Sequence, residues 1–150
     1  MRFICDNTLG KLTKYLRILG FDTISLYSPD RLDEYKNMDA PPLFFTKRTK
    51  RILYEPTVFV RADKIKEQLK EIEDIIRPHI NNRMFMTRCV ECNALLESVP
   101  KEEVESRVPE YTYHHHEEFK MCPSCNKVYW EGTHTEHIKE WIGTLKSGRW

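Results

Sequence analysis

With 150 residues, 40% of them apolar and 31% charged, and a net charge of +1, the chain has the composition of a soluble globular protein with room for one domain or two small ones. The balanced charge excludes a general polyanion binder, so any nucleic-acid surface must come from local clustering. No apolar run approaches the roughly 18 residues of a membrane span, and the N-terminus lacks a secretory pattern; the expected setting is cytoplasmic, with no membrane partner.

The first apolar run, Phe3-Ile4-Cys5 closed by Asp6, reads as a buried strand with an acid at its carboxyl end, and Cys5 as a small buried hydrophobe. Leu9, Leu12, Leu16 and Leu19 then recur at helical spacing, and Gly20 stands where a C-terminal cap belongs. Lys11, Lys14 and Arg17 share the other side of that helix, as a solvated face or as a phosphate-binding strip. Residues 22–27 read as a second strand, broken by Ser28-Pro29-Asp30. Residues 31–40 are polar with weak helical character, and Asp30, Asp33 and Glu34 are acids of unassigned role there.

Leu43-Phe44-Phe45-Thr46 reads as a third strand, followed at once by Lys47, Arg48, Lys50 and Arg51. Val58-Phe59-Val60 reads as a fourth, closed by Arg61-Ala62-Asp63. Ile65, Leu69, Ile72 and Ile76 then share one helical stripe over residues 63–76, stopped by Pro78. Strands alternating with helices predict an α/β layer with a largely parallel sheet.

Ligands of such sheets bind beyond the carboxyl ends of the strands, which singles out Asp6 and Asp63 together with the basic run after the third strand. Carboxylates there could hold Mg²⁺ or Mn²⁺ while the cations take phosphates, the arrangement needed for metal-activated phosphodiester cleavage. The competing reading is that each aspartate only caps the helix that follows it.

The second half begins near Asn81. Arg88-Cys89-Val90-Glu91-Cys92-Asn93 is answered, after an intervening loop of roughly thirty residues, by Cys122-Pro123-Ser124-Cys125-Asn126. Two Cys-x-x-Cys pairs give Cys89, Cys92, Cys122 and Cys125 the spacing of a tetrahedral structural Zn²⁺ site, and the asparagine after each pair suits a turn that needs positive φ. A closed four-thiolate site holds a fold together and leaves function open. Tyr111-Thr112-Tyr113 reads as a strand hairpinning toward Val128-Tyr129-Trp130. The adjoining His114, His115 and His116 read as a solvated loop, since adjacent residues of a strand alternate in direction and cannot all meet one ion. Thr133-His134-Thr135-Glu136 fits a capping box, with His134 and His137 on the first turn. Ile138, Trp141, Ile142 and Leu145 predict a closing C-terminal helix.

End to end the chain resembles the Mut7-C RNase family, PIN-like nuclease domains followed by a zinc ribbon. The resemblance is carried by Asp6 with Leu9-Gly10-Lys11-Leu12, by Leu16-Arg17-Ile18-Leu19-Gly20-Phe21-Asp22 and Gln68-Leu69, and most distinctively by Thr87-Arg88-Cys89, Cys92-Asn93, Val99-Pro100-Lys101, Val108-Pro109, Cys122-Pro123, Cys125 and Lys127-Val128-Tyr129-Trp130. It implies a PIN-like domain over residues 1–82 and a zinc ribbon with a C-terminal helix over 83–150. It also implies a metal-dependent ribonuclease in which Asp6 holds the first acidic position, Asp30, Asp33 or Glu34 is open as the next acid, and Asp63 and Asp22 are further candidates. Asp22 is the weaker of these, because it begins its strand at the wrong end of a parallel sheet.

One departure matters. The family resembled usually reads Thr-Arg-Asp after the third strand, whereas this chain reads Thr46-Lys47-Arg48, a guanidinium where a divalent ion needs a carboxylate. Two functions follow. One is an RNase using Asp6 and Asp63 as metal ligands, with Lys11, Lys14, Arg17, Lys47, Arg48, Lys50 and Arg51 as RNA contacts. The other is a catalytically inactive RNA-binding or ribonucleoprotein-associated module on the same fold.

Overall fold

The computed structural model describes residues 1–48, 52–132, 136 and 138–140. Lys50, Arg51, His134 and His137, and the predicted closing helix beyond residue 140, lie outside the described residues. Glu136 and residues 138–140 are helical.

The first half is a four-stranded parallel sheet in the order β2-β1-β3-β4, with β1 Arg2–Asp6, β2 Asp22–Leu26, β3 Leu43–Thr46 and β4 Thr57–Phe59. Helix α1, Gly10–Ile18, follows β1 through a short 3-10 turn, Asn7–Leu9. Its stripe Leu9, Leu12, Leu16 and Leu19 buries against Phe3, Cys5 and Phe45 of the sheet. Alternation on β1 sends Ile4 to the other face, where it packs with Leu26, Leu32, Phe44 and Tyr54. Burial pushes the Cys5 thiol up to about 12, so it is a neutral core residue.

Gly20 has φ 95, and a Cβ there would collide with the backbone carbonyl of Met84. The glycine therefore serves both as helix cap and as the point where the second half of the chain approaches the first. The helix predicted over 63–76 is divided into α2, Ile65–Glu71, and α3, Glu73–Ile76. The break lies at Ile72 (φ −103, ψ 6), and Leu69, Ile72 and Ile76 still bury together in the main core. The weakly helical segment after β2 is a 3-10 turn, Pro29–Glu34, begun by Ser28 Oγ accepting from the Asp30 amide.

The second sheet is antiparallel, in the order β5-β6-β7, with β5 Glu97–Val99, β6 Phe119–Met121 and β7 Val128–Tyr129. Here the expectation for Tyr111–Tyr113 is corrected. These residues lie in helix α4, Glu110–His115, and the strand that pairs with Val128–Tyr129 is Phe119–Met121. Pro109 (φ −58) precedes the helix and Glu110 occupies its first turn, both suited to a helix start. The three histidines accordingly end a helix. His115 stacks on Tyr111 with ring centroids 3.8 Å apart, His114 faces Glu110 at 3.8 Å, and His116 Nδ1 lies 3.1 Å from the Thr112 carbonyl.

Candidate functional site

At the ribbon, both Cys-x-x-Cys segments fold alike. The Asn93 amide donates to the Cys89 carbonyl at 2.8 Å and the Asn126 amide to the Cys122 carbonyl at 2.8 Å. The amides of Cys92 and Cys125 each point at the first sulfur of their pair at 3.4 Å. Asn93 and Asn126 adopt φ 67 and 65, as expected of the residue after each pair. The four sulfurs all lie within 4.8 Å of one another, and Cys89 and Cys125 are 3.7 Å apart, close to the edge of a tetrahedron with Zn–S bonds of about 2.3 Å.

The thiols' electrostatics favour a dication. Burial raises Cys89, but hydrogen bonds from Tyr129, the Cys92 and Glu91 amides and Cys125 outweigh it and bring the thiol down to about 7. The Lys127 amide lowers Cys125, yet Cys92, burial, Cys122 and Cys89 together push it up to about 12. Four neighbouring sulfurs cannot all shed protons unaided, and a bound Zn²⁺ removes that conflict. Tyr129, which the sequence showed only as a strand residue, places its hydroxyl 3.1 Å from Cys89 Sγ and accepts from the Val90 amide at 3.0 Å. It is the ligand-orienting partner of this site, and only the fold reveals it.

The first knuckle also docks on the α/β half. Asn93 Oδ1 accepts from the Thr23 amide at 3.0 Å, and its Nδ2 donates to Asp22 at 2.6 Å. Asp22 lies in register with Arg2, which it pairs at 3.1 Å, four residues or about 13 Å along the strands from the level of Asp6. The structure does not bring Asp22 to the acids at the carboxyl edge. Arg17 is likewise placed otherwise than as an RNA contact: it is 8% exposed and donates to the Thr23 and Val90 carbonyls at 3.0 and 2.8 Å. Desolvation lowers its pKa. Lys11 is exposed, and Lys14 pairs with Glu91 at 3.4 Å on the surface.

At the carboxyl edge of the parallel sheet, Asp6 is 1% exposed. One oxygen accepts from the Thr8 amide at 2.9 Å and from the Thr8 hydroxyl; the other accepts from Thr46 Oγ1. The capping reading of Asp6 is thus correct in part. Arg48 Nε lies 3.5 Å from the same carboxylate and Arg48 Nη2 donates to Asn7 Oδ1 at 3.1 Å. Asp63 does not cap α2, whose N-cap is Lys64; its exposed carboxylate pairs with Lys47, whose ammonium also donates to the Ala62 carbonyl at 3.2 Å. The hydrogen bond and charge of Lys47 hold the Asp63 carboxyl below its usual range. Asp33 and Glu34 pair locally with Lys36 at 3.0 Å and Arg31 at 3.4 Å.

Among the described residues, the four cysteines are the group of three or more ligand-type side chains that could hold a metal ion. The carboxyl-edge acids do not fit a divalent ion as arranged. The lone pairs of Asp6 are committed, and a guanidinium stands within 3.5 Å, where an incoming dication would meet its positive charge.

The profile of the Mut7-C RNAse domain matches residues 1–142, nearly the whole chain. This chain belongs to the Mut7-C RNAse domain family. The family description points to a ribonuclease-type function, and the four-cysteine cluster of this Mut7-C domain is consistent with zinc. No curated protein matches the chain, and no solved structure does. No helix among the described residues is long and apolar enough to cross a membrane.

Proposed function

We propose that the chain acts on RNA by gripping its phosphates at the carboxyl edge of the parallel sheet, with Lys47 and Arg48 as the central contacts, in a cytoplasmic setting. The observation that carries this reading is the Asp6–Arg48 pair. The first acid of the family pattern is buried against a built-in cation, so the edge sets a guanidinium beside that acid where a metal-dependent nuclease sets further carboxylates. Arg48 is anchored by Asp6 and Asn7, which orients its guanidinium for bidentate contact with a phosphate. In this reading residues 1–82 form the RNA-engaging domain, and residues 83–150, held by Zn²⁺, brace it through Asn93 and the glycine contact at Met84.

The test is binding and cleavage of labelled RNA with Mn²⁺, Mg²⁺ or chelator, using the wild type and Asp6→Asn over a salt series. The expected result is binding that survives chelation of added Mg²⁺ and Mn²⁺, leaves the RNA intact, and weakens with log salt by roughly 0.7 per phosphate contact on single strands. Mn²⁺- or Mg²⁺-dependent cleavage abolished by Asp6→Asn overturns it in favour of a metal-dependent ribonuclease that tolerates Arg48.

A further inference from the structure

The carboxyl edge carries an aromatic residue that its charge pattern does not announce. Asp6, Thr46 and Phe59 lie on successive strands in one cross-strand row. Asp6 pairs with Leu26 on β2, Thr46 bonds Asp6 from β3, and Phe59 pairs with Thr46 from β4. Leu26, Asp6 and Thr46 are 6%, 1% and 0% exposed, whereas Phe59 at the end of the row is 49% exposed. Single exposed apolar residues are ordinary. What sets Phe59 apart is its surroundings: with Lys47, Val60 and Arg61 it lines an open depression of about 400 Å³.

The walls of that depression are held in place. Both oxygens of the Glu71 carboxylate accept backbone amides of the loop after β4, from Arg61 at 2.9 Å and from Ala62 at 2.6 Å. The Ala62 carbonyl in turn accepts from Lys47. Val60, which packs into the main core, is 1% exposed, and the Arg61 side chain is exposed, with no hydrogen bond or ion pair to the described residues. An exposed aromatic ring that shares a depression with two cations, Arg61 and the Asp63-paired Lys47, is the kind of arrangement by which proteins hold an unstacked base: the ring takes the base's face while the cations take the flanking phosphates.

We infer that Phe59 is a nucleobase-stacking platform, with Lys47 and Arg61 gripping the adjoining phosphates, so that the site selects unpaired RNA. The inference rests on the phosphate-gripping role of this edge and adds its substrate class. Phe59 lies two strand spacings, about 10 Å, from Asp6, which places the stacked base beside the Arg48 contact and not upon it. Bases inside a duplex have both faces covered and cannot use the ring, and a depression of this size suits a single nucleotide.

The experiment is fluorescence anisotropy with single-stranded RNA, a duplex of the same length, and a single strand carrying abasic sites. The proteins are the wild type, Phe59→Ala, Phe59→Leu, Phe59→Tyr and, as a control on an exposed aromatic elsewhere, Tyr111→Ala. Phe59→Ala and Phe59→Leu should weaken single-strand binding by about tenfold. Phe59→Tyr should restore it, Tyr111→Ala should leave it unchanged, and duplex and abasic RNA should bind all five proteins alike. Tight single-strand binding by the wild type that is indifferent to every Phe59 change and to removal of the bases overturns the stacking role alone. Failure of the wild type to bind any RNA overturns both the stacking role and the phosphate-gripping reading beneath it.

Discussion

Two corners of the molecule collect side chains of the kind that bind metal ions, and they reach opposite electrostatic states. At the ribbon, four thiols lie within 4.8 Å of one another, with amides, a tyrosine hydroxyl and a pair of positive-φ asparagines arranged around them, and the positive charge must come from outside. At the carboxyl edge of the parallel sheet the acids are already answered from within, Asp6 by Arg48 and Asp63 by Lys47. Ligand-type residues therefore do not by themselves make a metal site; what decides is whether the fold brings them together without compensating charge. The same contrast separates stability from recognition, because a satisfied metal site is closed while a row of anchored cations remains open to a phosphate.

The largest effect should come from emptying the ribbon. Metal analysis should find one Zn²⁺ per chain, and strong chelation or Cys89→Ser should cost the ribbon its fold, a loss of about 10 kcal/mol or more of binding-coupled stability visible by circular dichroism and thermal melting. Zinc affinity should fall steadily as pH drops, because Cys125, held up to about 12 by its neighbours, must lose its proton when the ion binds, and Cys89 is itself protonated below about 7. The folded-state pKa of Cys89 is depressed, so its contribution is complete above the ordinary thiol value of 9.0 and disappears as the thiolate is protonated on the way down. Melting that is indifferent to chelation would end the claim that a metal ion holds this corner together.

Next in size is the joint between the two halves. Gly20→Ala forces a side chain into positive φ and against the Met84 carbonyl, and should destabilise the protein by about 3 kcal/mol in chemical denaturation. Arg48→Asp inverts the carboxyl edge. It should cost about 2 kcal/mol without metal, since it places a second carboxylate beside a buried one. It should also create a Mn²⁺-induced rise in Tm that the wild type lacks; the same rise in the wild type would show that Arg48 does not block the ion. The smallest effect expected is from Asn93→Ala, about 1 kcal/mol from lost hydrogen bonds to Thr23 and Asp22 and from the positive φ, measured by the same denaturation.

The four strands of the parallel sheet, the leucine stripe of α1, the glycine cap and the cysteine pairs were legible in the sequence because each is set by nearby residues: spacing, capping chemistry and the geometry of one short turn. The segment around Tyr111 was read as a strand because its aromatics suit one, while Pro109 and Glu110 favoured a helix start, and two local signals in conflict are resolved only by what packs around them. The break at Ile72 follows the same logic, since the stripe specifies which residues face the core but not whether the backbone stays straight.

The tertiary structure alone decided the fate of the charges. Arg17 looked like one member of a basic strip until the first knuckle arrived with the Val90 carbonyl and buried it. Asp22 became a docking acid for Asn93, 71 residues away. Asp6 and Arg48, far apart in the chain, became a pair because β1 and β3 are neighbours, and Phe59 joined their row because β4 lies next to β3. Hydrophobic periodicity and turn chemistry act over a few residues and can be read along the chain. The charge that a carboxylate or guanidinium meets is set by whichever strand or loop lies opposite, and that is known only once the sheet order is known.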